Sequence, residues 1–172
     1  MTKITYTQKD EQRVIAPITS EHIKGFGSLF DETKYDVGGT FTFINGNTIH
    51  EADAKTQLKK FLNEIDKVYF GNKASRKKIR VERAVFIHRN HEGGRFIHFH
   101  VWFRKIGMYY NFNRVLENVW MKAIRNADVP VVKPLSKGSA LYGWREDVSE
   151  LGLNSWMDDC SHTDTNRLQR WQ

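Results

Sequence analysis

Arg95-Phe96-Ile97-His98-Phe99-His100-Val101-Trp102-Phe103 is an apolar run interrupted by two histidines two positions apart. Its aromatic and β-branched content marks a strand. Strand side chains alternate in direction, so His98 and His100 leave the same face, one pleat apart. Burying imidazoles costs free energy unless their ring nitrogens find partners. A pair held this way can bind one divalent metal or orient one anionic group; a satisfied structural pair is the plainer alternative.

Immediately upstream, Arg89-Asn90-His91-Glu92-Gly93-Gly94 has hairpin-turn chemistry, and Ile79 to His88 reads as the partner strand. With Glu92-Gly93-Gly94 as a three-residue loop, His91 faces Arg95, His88 faces His98 and Phe86 faces His100. Directly opposed Cβ atoms lie ~4.5–5.5 Å apart. On that register His88, His98 and His100 share one face of two adjacent strands, a site for a divalent cation with positions left for water or phosphate. A bulge in the turn would shift the pairing by one residue and turn His88 away. Glu92, His91 and Glu82 are then the alternative third ligands.

Elsewhere, Gly38-Gly39 introduces Thr40-Phe41-Thr42-Phe43-Ile44, an alternating first strand ended by Gly46-Asn47. Glu51 to Tyr69 reads as a helix with Leu58, Phe61, Leu62, Ile65 and Val68 on one face, closed by Gly71-Asn72. Asn111 to Asn126 is a second helix, with Val115, Leu116, Val119, Trp120, Ala123 and Ile124 inward. Val129-Pro130-Val131-Val132 is a short strand whose proline indicates an edge. Ser139 to Val148 reads as a further helix, and Ser20 to Phe30 as a short one. The order β-α-β-β-α-β followed by a helix specifies an α+β, ferredoxin-like (RRM-like) antiparallel sheet. That fold hosts many functions, so the site must decide.

The 172 residues suffice for one compact domain with its own core. Net charge is +7 and the pI near 9.5, which favours a polyanionic partner. Lys73, Arg76, Lys77, Lys78 and Arg80 crowd one stretch, either a solvated loop or a phosphate-contacting edge. The single Cys160 fits a reducing compartment. No stretch approaches the ~20 apolar residues of a membrane span. The N-terminus lacks a signal-peptide core, so a cytoplasmic location is expected. No Gly-rich phosphate loop with Lys-Ser/Thr is present, so a helicase motor is not expected in this chain.

Ala140-Leu141-Tyr142-Gly143-Trp144-Arg145-Glu146-Asp147 places Tyr142 and Arg145 three apart, on one helical face. A tyrosine hydroxyl, with pKa ~10, needs a nearby cation or a polarised phosphate to attack. The alternative is a core tyrosine of a short amphipathic helix. Tyr109 and Tyr110, at the start of the second helix, are rival nucleophiles.

Together these residues resemble the HUH endonuclease superfamily, specifically the rolling-circle replication initiators (Rep proteins) of plasmids, phages and small circular DNA viruses. Thr40-Phe41-Thr42-Phe43-Ile44-Asn45 looks like the family's first motif. Ile97-His98-Phe99-His100-Val101 matches the second, the His-hydrophobic-His metal motif. Tyr142-Gly143-Trp144-Arg145-Glu146 is similar to the third, Tyr-x-x-Lys. The motifs run in family order over about residues 38–150, within a single nuclease domain spanning 1–172.

The resemblance implies site-specific nicking and joining of single-stranded DNA at a replication origin. Tyr142 would be the nucleophile, giving a 5′-phosphotyrosine and a free 3′-OH. Arg145 would lie near the phosphate. His98, His100 and His88 would hold Mn²⁺ or Mg²⁺. Arg76, Lys77, Lys78 and Arg80 would contact the DNA backbone, with a host helicase as a further partner. Two departures stand out. Arg145 replaces the motif lysine and cannot exchange protons near neutral pH. His88 stands where many relatives carry a carboxylate, which shifts preference from Mg²⁺ toward Mn²⁺ or a later metal. A single-tyrosine transposase keeps the same motif order, whereas relaxases place their tyrosine before the His-x-His motif. The rival from another class is a non-enzymatic RRM-like module stacking bases on Phe96, His98, His100 and Trp102.

Overall fold

The computed structural model describes residues 34–44, 48–90, 96–135, 157 and 159–162. Strand β1 (Val37–Thr42) leads to helix α1 (Glu51–Phe70) and the short helix α2 (Asn72–Arg76). The hairpin strands β2 (Arg83–Asn90) and β3 (Phe96–Phe103), helix α3 (Tyr109–Ala123) and strand β4 (Val131–Pro134) follow. The sheet order is β2-β3-β1-β4 with every neighbouring pair antiparallel. This is the ferredoxin-like βαββαβ arrangement that the order of elements specified.

One sheet face is covered by α1 and α3. Val37, Phe41, Val85, Ile87, Ile97, Phe99, Val101 and Phe103 point into this layer and meet Leu58, Phe61, Leu62 and Ile65 of α1 and Phe112, Leu116 and Trp120 of α3. Trp120 is the hub, with ring centroids 5.1 Å from Phe41, 5.4 Å from Phe43 and 5.3 Å from Phe61. Its indole N–H donates to the Asp128 carbonyl at 3.0 Å, so the polar end of the ring is satisfied within the core. The apolar face of α1 continues from Ile65 to Tyr69 rather than to Val68, which is 55% exposed.

Several boundaries differ from those expected. Gly38 and Gly39 lie inside β1 rather than before it. A Cβ on Gly38 would come within 2.6 Å of Leu135 Cδ2, and one on Gly39 would strike the Phe41 ring. The glycine pair therefore admits side chains against the strand from both faces. The second strand begins at Arg83, not Ile79. Lys78 adopts a left-handed φ of 53°, and the Val81 N–H donates to Asp66 Oδ1 at 2.8 Å, so this stretch leaves the ladder to meet α1. The third strand is Phe96–Phe103, and α3 ends at Ala123 as Ile124 turns extended. Strand β4 lies two residues later than expected and occupies an edge, as Pro130 indicated. The segments expected to be helical at 20–30 and 139–148 lie outside the described residues.

The free edge of β2 is met by the segment around Met157–His162. Met157 N–H donates to the Val85 carbonyl at 3.0 Å, and Arg83 and His162 exchange backbone hydrogen bonds of 2.9 and 2.7 Å. This pairing occupies an edge that would otherwise template association. Arg83, on the helix-facing side, forks onto Asp66 of α1 at 2.7 and 3.1 Å and donates to the Cys160 carbonyl at 3.1 Å.

At the other end of β2, Arg89 grips Glu51 in the first turn of α1 at 2.8 and 2.9 Å, and Lys55 joins at 2.5 Å. The hydrogen bond from Arg89 is the main influence holding the Glu51 carboxyl down at about 2, against a cost from partial burial. A depressed carboxyl contributes stability above its unfolded pKa and loses it as pH falls toward the folded value. Glu51 is 37% exposed, so screening limits its contribution to about 1 kcal/mol. Glu51→Gln is expected to lower stability by that amount at pH 7. The deficit should shrink between pH 5 and pH 2, as read from urea midpoints of variant and parent.

Candidate metal centre

The hairpin register places Phe86 opposite His100 and His88 opposite His98, the pairing a three-residue loop requires. The strand parity that sends Val85, Ile87, Phe99 and Val101 to the helices sends His88, His98 and His100 to the other face. All three imidazoles are buried, at 3%, 7% and 7% exposure. Their ring centroids lie 5.2 Å (88–98), 4.4 Å (88–100) and 4.9 Å (98–100) apart. One nitrogen from each falls within 4.8 Å of the others, a triangle able to close on one ion.

Thr40 faces His100 across the β1–β3 ladder, and its Oγ1 lies 3.2 Å from His100 Nδ1. That bond fixes the ring and leaves Nε2 as the nitrogen to coordinate, the usual role of an outer partner of a ligating histidine. Burial, then His88, His98 and Lys133, hold His100 well below the usual imidazole range. At neutral pH it is therefore neutral, the form that ligates a metal. Beside the triad, Phe86 and Trp102 pack at 4.6 Å with Tyr35, Ala84 and Leu135. This apolar wall strengthens electrostatic interactions at the site.

Two contributors lay beyond the sequence reading. Thr40 was visible only as part of a hydrophobic strand. Lys133 pairs with Gly38 on β4, and Gly38 shares the parity of Thr40, so Lys133 belongs to the histidine side of the sheet. Alternation in β4 would have shown this, but only with the strand placed at 131–134 instead of 129–132.

Glu82 is not part of the cluster. It lies before the start of β2, with Oε2 3.2 Å from Arg104. His91, Glu92, Tyr142 and Arg145 lie outside the described residues. Tyr109 and Tyr110 open α3, which packs on the opposite face of the sheet from the histidines.

The basic run sits elsewhere. Arg76 ends α2, Lys77 and Lys78 are exposed beyond it, and Arg80 donates to the Ala74 carbonyl at 2.7 Å and lies 3.4 Å from Asp66. Arg83 to His88 is five strand steps, roughly 17 Å at ~3.3 Å each. The run therefore lies away from any phosphate held at the triad.

Comparison with protein-family models, curated proteins and solved structures returned no match. The reading of this centre rests on its own geometry. Three buried imidazole nitrogen donors fit a borderline divalent ion and give Mg²⁺ none of the oxygen ligands it prefers. No helix among the described residues is long and apolar enough to cross a membrane.

Proposed function

We propose that the chain is a metal-dependent endonuclease and strand transferase of HUH type, nicking single-stranded DNA at an origin to start rolling-circle replication. The observation that carries this is the buried triad of His88, His98 and His100 on the face of a ferredoxin-like sheet opposite α1 and α3. A bound divalent ion supplies Lewis-acid polarisation of a phosphate oxygen and offsets charge that develops there. The three histidines hold that ion, and Thr40 orients His100. Tyr142 attacks phosphorus, forming the phosphotyrosyl bond as the bond to the 3′ oxygen breaks. Arg145 balances charge beside it. The 3′-OH released can prime synthesis or return to rejoin the strand.

Against a base-stacking module stands the burial of the face it would use. Trp102 is 4% exposed and packed on Phe86, and His98 and His100 are buried beside it. Stacking on bases requires open aromatic faces.

The test is incubation with a mixed pool of labelled single-stranded DNA and Mn²⁺, then denaturing electrophoresis and mass spectrometry. A covalent adduct on Tyr142 is expected. Cleavage that persists in chelator, or an adduct on Tyr109 or Tyr110, would overturn the assignment.

The nitrogen-only donor set also sets ion preference. Mn²⁺, Co²⁺ or Zn²⁺ at about 100 times Kd stabilises the folded chain by ~2.7 kcal/mol. For a chain of this size that is a rise in Tm of roughly 5–10 °C. Mg²⁺ at the same concentration is expected to give little shift in a thermal melt.

A further inference from the structure

Between α1 and the edge of β2, a pocket of about 280 Å³ opens among Lys59, Lys78, Arg80, Arg83, Asn63 and Ser161. Its cations outnumber the carboxylates near them. Asp159 lies 2.6 Å from Lys59, while Asp66 holds Arg83 at 2.7 Å and Arg80 at 3.4 Å. Four positive side chains thus stand against two carboxylates. Lys78 is the cation left over: among the described residues it forms no ion pair, and its backbone holds the left-handed φ of 53° that a lysine rarely adopts. Strain of this kind, kept where the surroundings dictate it, marks ligand sites. Lys77 and Arg76 extend the positive field outward from the rim.

We propose that this pocket binds a phosphate group. Excess positive charge, a guanidinium-lined wall and a volume ample for one tetrahedral anion fit that chemistry. The pocket lies on the helix side of the sheet, five strand steps from His88, so the phosphate held here is not the one held at the triad. In a nucleic acid it is a backbone phosphate outside the cleavage point, and the pocket then sets where the strand lies rather than how it is cut. This inference leans on the nuclease reading only for the source of the phosphate.

The test uses the full chain and Lys78→Asn. Asparagine tolerates the left-handed region, so the charge goes while the backbone stays at ease. Lys60→Gln, an exposed change elsewhere on α1, is the control. Two titrations are read: fluorescence anisotropy of a labelled oligo-dT across a salt series, and thermal shift with inorganic phosphate at constant ionic strength. With a backbone phosphate in the pocket, Lys78→Asn weakens the oligonucleotide several-fold and flattens the slope of log K against log salt by about 0.7, the value for one phosphate on a single strand. Lys60→Gln and Mn²⁺ affinity do not change. If inorganic phosphate stabilises the parent but not Lys78→Asn, and the oligonucleotide slopes coincide, the pocket serves free phosphate. If Lys78→Asn matches the parent in both titrations, the proposal fails. A changed slope without any adduct on Tyr142 would keep the pocket and discard the nuclease.

Discussion

His98→Ala and His100→Ala, made separately, are expected to lower affinity for Mn²⁺ or Zn²⁺ by two orders of magnitude or more. DNA cleavage should fall with it. A four-ligand structural zinc site is worth about 10–16 kcal/mol, or roughly 3 kcal/mol per ligand, which corresponds to about a hundredfold each. Among the described residues the triad has three donors within 4.8 Å, so removing one leaves two of them to hold the ion against water. Thr40→Val keeps the volume and removes the oxygen 3.2 Å from His100 Nδ1. Loss of such an outer partner typically costs 10- to 100-fold in affinity, so Thr40→Val should fall between the parent and the histidine variants. Isothermal titration of the ion into each variant, with circular dichroism to verify the fold, decides this. Affinities equal to the parent in both histidine variants would remove the ion from the mechanism.

The triad could be read in the sequence because period-two alternation and a short Gly-Gly turn together fix a hairpin's register. His88 opposite His98 required nothing from elsewhere in the chain. Lys133 was hidden for the opposite reason. Its place depends on β4 pairing with β1, a contact distant in sequence, and Pro130 drew the strand two residues early. Gly38 and Gly39 reads as punctuation because glycine usually ends strands; only the approach of Leu135 and the Phe41 ring explains glycine inside β1. The Met157–His162 segment carries no legible strand periodicity: it holds β2 through backbone groups and the Ser161 hydroxyl, while Met157 and Cys160 enter the core. The basic run looked uniform in the sequence, yet folding divides it: Arg80 turns inward to Ala74 and Asp66 while Lys77 and Lys78 stay exposed.

Asp66→Ala is expected to be the most destabilising single change outside the histidine face. Asp66 is fully buried, and three groups converge on it. Arg83 of β2 binds both carboxylate oxygens, Arg80 approaches Oδ2, and the Val81 N–H donates to Oδ1. Arg83 is itself only 5% exposed and ties the pair to the Cys160 carbonyl. Removing one partner of a buried pair costs about 3–5 kcal/mol, because the other charge stays in a low dielectric without compensation. Domains have only ~5–15 kcal/mol of total stability, so the urea midpoint should fall by roughly a fifth or more. The origin of the loss can be separated by pairing Asp66→Leu with Arg83→Met, which removes both charges while keeping volume. Stability that returns most of the way in the double variant would place the cost in the stranded guanidinium. A double variant as unstable as Asp66→Ala would place it in the tie that the ion pair and its hydrogen bonds to backbone add between α1, β2 and the Cys160 carbonyl.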